Sequence, residues 1–145
     1  MRRSVGKLTS LFALAACGGT EPVDLATSYT LSTVEGVVPP HLVAASLECD
    51  VTIGGGRVTF GPGEHFDLGL DVLTDCSRGG GSTSEATYGY TGSVQVSGRQ
   101  VVFHTATGSG PVVYEGEVSA AGRLEVTVPG LVPLVEQVAV AFLPD

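Results

Sequence analysis

From residue 29 onward the chain falls into short runs in which apolar and polar side chains alternate, the period of two that sends successive residues to opposite faces of a strand. Tyr29-Thr30-Leu31-Ser32-Thr33-Val34 is the first run, and Gly36 ends it. Residues 37–45 contain Pro39-Pro40, which a central strand cannot hold, so a loop or short irregular helix is expected there, lying over one end of the fold. Leu47, Cys49, Val51 and Ile53 then alternate with Glu48, Asp50 and Thr52, which predicts a half-buried strand with Cys49 facing inward. Gly54-Gly55-Gly56 predicts a turn, Val58 and Phe60 a returning strand, and Gly61-Pro62-Gly63 a second turn. Phe66, Leu68, Leu70 and Val72 form the next apolar face, opposite Asp67, Gly69 and Asp71, and Cys76 shares its parity. Gly79-Gly80-Gly81-Ser82-Thr83-Ser84 reads as an exposed flexible loop. No lysine follows it and no helix begins there, so its glycines do not form a phosphate cradle.

The second half repeats a unit. Tyr90-Thr91-Gly92-Ser93-Val94 and Tyr114-Glu115-Gly116-Glu117-Val118 share a Tyr-x-Gly-x-Val pattern, each leading through a turn at Gly98-Arg99 or Gly122-Arg123 into another strand; Gly56-Arg57 is read the same way. Tyrosine and glycine of each unit lie on one strand face, where the glycine leaves room for an aromatic ring, a close neighbouring strand or a ligand. Further strands are expected over 100–105, 111–118, 123–128 and 135–143. In the first of these Val101 and Phe103 oppose Val102 and His104, and either pair could face inward. Successive hairpins without a sizeable helix predict an all-β fold, a small antiparallel up-and-down β-barrel of about eight or nine strands, with a β-sandwich as the alternative. Closure into a barrel removes exposed sheet edges.

Charge divides the chain. Three of the 7 basic residues, Arg2, Arg3 and Lys7, precede Cys17 and all 15 acidic residues follow it, which leaves four against fifteen, a net of −11, beyond that point. So acidic a surface repels phosphate backbones, and nucleic acid is excluded as a partner. Abundant glycine, 21 residues, suits short strands and turns, while 43% hydrophobic residues argue for a folded core.

Residues 1–16 combine the positive cluster with a short apolar run, the two parts of an export signal, and the run is too short to span ~30 Å of hydrocarbon. Leu14-Ala15-Ala16-Cys17 resembles the lipobox of bacterial lipoproteins, in which the cysteine is acylated and becomes the new N-terminus. The plainer alternatives are an ordinary cleaved signal with an incidental cysteine, or a short apolar N-terminus on a cytoplasmic protein. The resemblance implies a signal peptide at 1–16, a membrane anchor on Cys17, a flexible tether at 17–26 containing Gly18-Gly19-Thr20-Glu21-Pro22, and a domain at 27–145. It also implies export to the cell envelope, and Gly18 after the cysteine points to the outer membrane if the host has one. With Cys17 acylated, Cys49 and Cys76 remain for one disulfide in an oxidising compartment; a thiolate metal site or a nucleophilic cysteine is the alternative. Over about residues 29–143 the meander with Gly-Arg turns resembles the lipocalin-like barrels of small bacterial lipoproteins, although the Gly-x-Trp of true lipocalins is missing, since the chain has no tryptophan. This resemblance implies a barrel with an apolar interior.

Catalytic chemistry finds little support. His41, His65 and His104 lie on separate segments without zinc-ligand spacing, and His65 beside Glu64 is expected to face solvent. Asp67, Asp71 and Asp75 share one strand parity, but four residues of strand cover about 13 Å, too far for all three to hold one ion. No Gly-x-Ser-x-Gly elbow occurs. No enzyme, metal or cofactor is therefore expected. Two functions compete: an anchored barrel binding a small apolar molecule or an envelope component, with Tyr88, Tyr90, Gly92, Tyr114 and Gly116 as candidate ligand contacts, or a structural or protein-interaction module whose barrel is filled by Phe66, Tyr88, Tyr90, Phe103 and Phe142. Labelled fatty acid should enter the wild-type protein in its host and be absent from Cys17→Ala.

Overall fold

A computed structural model describes residues 21–145. The expected signal peptide, Cys17 and the first part of the tether lie outside the described residues. Nine strands follow one another: β1 Ser28–Val34, β2 His41–Ala45, β3 Asp50–Gly61, β4 His65–Asp75, β5 Thr83–Ser97, β6 Gln100–Thr107, β7 Gly110–Val118, β8 Leu124–Pro129 and β9 Gln137–Pro144. From β3 to β9 each strand pairs antiparallel with its successor. β1 closes the ring by pairing with β9 on one side and β3 on the other, so eight strands form an up-and-down barrel and β2 is an extra strand on its flank. The expected class and topology are thus observed.

Alternation sorts the side chains. Val51 and Ile53, Phe66 to Val72 at every second residue, Val126 and Val128, and Val138, Val140 and Phe142 all bury their side chains. In β6 the inward pair is Val101 and Phe103, both fully buried, which resolves the open parity. The Gly98-Arg99 and Gly122-Arg123 turns lie between strands as expected.

Several local expectations are corrected. Gly54-Gly55-Gly56 is no turn: it lies inside β3, where the strand changes partner from β2 (through Ile53) to β1 (from Arg57), with a register shift between Ile53 and Gly55. Gly56-Arg57 therefore does not follow the Gly-Arg turn pattern. Residues 41–45, expected as loop or helix, form β2, because Pro39-Pro40 stands before the strand and β2 uses only one edge. Leu47 leaves the expected strand and is 96% exposed, since residues 46–49 turn: the Ser46 hydroxyl accepts from the Cys49 amide (2.8 Å) and donates to the Cys49 carbonyl (3.0 Å). The loop expected over 79–84 ends earlier, because Thr83 and Ser84 already pair with Asp75 and Thr74.

Beyond the barrel proper, β2, the first part of β3, the last part of β4 and the first part of β5 continue as an open sheet. Cys49 and Cys76 form a disulfide just past its last β3–β4 pair, Asp50 with Asp75. Bridging a separation of 27 residues is worth roughly 3.5 kcal/mol through the entropy of the unfolded chain. The paired carboxylates are relieved separately: Arg78 bonds Asp50, while Asp75 accepts from the Ser77 amide (3.0 Å) and the Thr83 hydroxyl (3.2 Å). These bonds, Ser77 first, hold the Asp75 carboxyl below the usual aspartate range.

Residues 21–27 cross the opposite end. The Val23 amide donates to the Gly98 carbonyl (2.8 Å), the Phe60 amide to the Thr27 carbonyl (2.9 Å), and Val23, Leu25 and Ala26 pack against the core. There the closure is clasped by Asp145, which accepts from the hydroxyls of Ser28 and Thr30 and lies 3.6 Å from the Arg57 guanidinium, joining β1, β3 and the residue after β9. The two hydroxyls, more than Arg57, hold its carboxyl below the usual range. A carboxyl depressed on folding stabilises fully above its unfolded value, 3.8, and loses that contribution as pH falls through the folded value. Thermal midpoints should therefore fall between neutral pH and about pH 3, and the fall should be smaller in Asp145→Asn, read by circular dichroism melts.

Candidate functional site

The five candidate contacts share the inward-facing parity of two strands. On β5, Tyr88 and Tyr90 are half-buried and pair with Leu70 and Leu68, and Gly92 pairs with Phe66. On β7, Tyr114 pairs with Phe103 and Gly116 with Val101. Between them lies an aromatic cluster. The Tyr114 and Phe103 rings stack at 4.9 Å with 4° between planes, Phe66 meets Phe103 edge-on at 5.0 Å, and Tyr90 lies 5.8 Å from Tyr114. Phe60 extends the cluster from Phe103 to Tyr29. Such offset and edge contacts are worth about 0.5–1.5 kcal/mol each beyond burial itself.

The glycines complete this packing. A Cβ on Gly116 would lie 2.8 Å from the Glu125 carbonyl oxygen and 3.4 Å from the Phe103 ring, so β8 and that ring take the room the missing side chain leaves. At Gly92 a Cβ would collide with the His104 carbonyl oxygen, and β6 takes the room. Tyr90 reaches across the barrel, its hydroxyl donating to the Pro129 carbonyl at the end of β8 (2.8 Å). Tyr114 is 5% exposed and its hydroxyl has no hydrogen-bond partner among the described residues. Burial first, then the Tyr90 phenol nearby, pushes its pKa above the ordinary tyrosine value.

Of the five aromatics expected to fill the interior, Phe66, Phe103 and Phe142 are fully buried, whereas Tyr88 and Tyr90 are half-buried nearer the mouth. Tyr29, expected only as a member of a strand, and Tyr114, expected as a ligand contact, belong to the filling as well. Tyr29 is tied down by the Ala26 amide, which donates to its hydroxyl (3.0 Å).

No protein-family model, no curated protein and no solved structure matches the chain.

The titratable candidates sit elsewhere. His41, His65 and His104 are on β2, β4 and β6, His65 exposed, and His41 lies 3.2 Å from Glu35. Among the described residues no three His, Cys, Asp or Glu side chains come together as a metal site would need. Asp67, Asp71 and Asp75 line the outer face of β4, with Asp71 accepting from the Thr87 hydroxyl (2.7 Å). On the far outer wall, over β6 to β9 and β1, a groove of about 710 Å³ holds Arg99, Gln100, Glu115, Glu117, Arg123 and Glu125. Several of these already serve one another: Gln100 donates to Glu115 (3.0 Å), Arg123 donates to the Thr33 hydroxyl (2.8 Å) and approaches Glu125 at 3.4 Å. Among the described residues no helix is long and apolar enough to cross a membrane.

Truncating the central ring, Phe103→Ala, should cost about 3–5 kcal/mol. Gly116→Ala should cost about 1–3 kcal/mol by forcing β8 outward. Urea unfolding of both variants checks the two values.

Proposed function

We propose that this is an exported, lipid-anchored cell-envelope protein, held to the membrane through Cys17, whose non-catalytic barrel serves as a rigid scaffold for binding another envelope component on its outer surface. The observation that carries this reading is the aromatic cluster of Phe66, Phe103 and Tyr114, with Phe60 and Tyr29 beside it, occupying the centre of the barrel. In an eight-stranded barrel side chains just suffice to fill the interior, so a filled one leaves recognition to the outside. The Cys49–Cys76 disulfide supports an oxidising compartment, in keeping with the export signal. The closed up-and-down meander agrees with a lipocalin-like ancestry, here without the open interior that lipocalins use.

One observation favours the second reading, a small ligand held inside. Among the described residues the buried Tyr114 hydroxyl has no partner, and a bound molecule with a polar tip would satisfy it. Native mass spectrometry of the protein extracted from its own membrane separates the two. A co-purifying protein and no small molecule retained within the barrel are expected; a stoichiometric small molecule lost in Tyr114→Phe would overturn the scaffold reading in favour of the ligand.

A further inference from the structure

The largest unused bonding capacity among the described residues is along one edge of β5. β5 pairs with β4 without interruption from Thr83 to Ser93, but with β6 only from Gly92 onward. Residues 83–91 therefore have a strand on one side and none on the other. The Thr91 carbonyl, which accepts from the Thr105 hydroxyl, points toward the β6 side. Along a strand the N–H and C=O of one residue point the same way and successive residues alternate, so the backbone groups of Thr83, Glu85, Thr87 and Gly89 also face the open side. Consistently, the Val94 amide, of the other parity, turns the opposite way to the Glu64 carbonyl.

Exposed edges are usually blunted by proline, lysine, bulges or shortness. β2, another open edge, follows Pro39-Pro40, is 5 residues long and carries a register shift between Leu42 and Ala44, and the part of β7 that does not pair with β8 contains Pro111. Residues 83–91 of β5 have no proline, no basic residue and no shift in register with β4.

The chemistry beside this edge is one-sided. On the outer face Glu85 stands beside Asp71 and Asp75 of β4, and neither β4 nor β5 carries lysine or arginine. None of these three carboxylates is in an ion pair among the described residues. Asp71, Leu73 and Glu85 line a groove of about 570 Å³ on that face. On the inner face Ala86 is exposed and Tyr88 half-buried, so apolar surface borders the same edge.

We propose that the free edge of β5, residues 83–91, docks an extended segment of a partner protein carrying lysine or arginine at alternate positions and apolar residues between them. The segment adds to the sheet as a strand, its backbone meeting the amides and carbonyls of Thr83, Glu85, Thr87 and Gly89. Its basic side chains lie over Glu85 and Asp71, and its apolar ones over Ala86 and Tyr88. A second copy of this chain fits less well, because its own β5 would bring Glu85, Asp71 and Asp75 against like charges. The proposal rests on the scaffold reading above.

The test uses the full protein in detergent with a synthetic peptide of about nine residues alternating lysine and valine, and a glutamate–valine counterpart. The lysine peptide should bind, more weakly at high salt, and should slow amide exchange at residues 83–91; the glutamate peptide should not. Glu85→Lys should weaken binding about tenfold. Thr87→Pro removes one edge donor without touching the β4 ladder and should abolish binding, while Thr87→Val, which keeps the amide, should bind like wild type. Equal binding of both peptides, equal binding by Thr87→Pro, or protection of the same amides by self-association without peptide would each overturn the proposal. Recovery of an envelope partner by a protein that ignores the lysine peptide would overturn the edge and leave the scaffold standing. Peptide binding at residues 83–91 together with a small molecule retained inside would support the edge and overturn the scaffold.

Discussion

The structure depends on a seven-residue strand serving two partners. β1 pairs with β9 along one edge and β3 along the other, and without it the meander from β3 to β9 would be an open sheet with two long edges. Closing on β1 makes the count of strands even, so every neighbour can be antiparallel. The cost falls on β3. It pairs with β2 up to Ile53 and with β1 from Arg57, and the change of partner takes place over Gly54-Gly55-Gly56, where glycine lets the backbone bend and the register slip.

Closure also fixes the interior volume, and the side chains are matched to it. The stacked pair Phe103 and Tyr114 occupies the middle, and at Gly92 and Gly116 the His104 carbonyl of β6 and the Glu125 carbonyl of β8 take the room a side chain would need. Large rings opposite missing side chains let a barrel of this size fill without strain on its wall. Each end is then covered by chain rather than by strands: residues 21–27 at one, and at the other the 130–136 segment, where Val132 is buried and Leu131 and Val135 pack on the core. Inside the ring the Tyr114 hydroxyl stays without a partner among the described residues, and outside it the edge of β5 is free where β5 outruns β6.

Much of this was legible in the sequence because burial on one face imposes a period of two. The inward sets of β4 and of the last strand followed from parity, whereas the Cys49–Cys76 pairing followed from assigning Cys17 to the lipid anchor, which left two cysteines. Gly54-Gly55-Gly56 misled because the freedom that makes glycine a turn residue also suits a bend inside a strand, and only the partners on either side distinguish them. Residues 41–45 misled for the complementary reason: proline excludes a central strand, and an edge strand beginning after the prolines escapes the rule. The stacking of Tyr114 on Phe103 and the open edge of β5 depend on register between strands. A single sequence carries no direct signal of register, so neither could be read from it.

The path of residues 21–27 gives the molecule a direction. Val23 is bonded at Gly98, in the β5–β6 turn, which puts the start of the described chain at the end of the barrel opposite the disulfide. Five residues lie between Cys17 and Val23, a reach of at most about 20 Å. An acyl group on Cys17 would hold the Asp145 end of the barrel close to the bilayer. The Cys49–Cys76 end and the first residues of β5 would then stand at the far side, presented outward across the envelope rather than along the membrane.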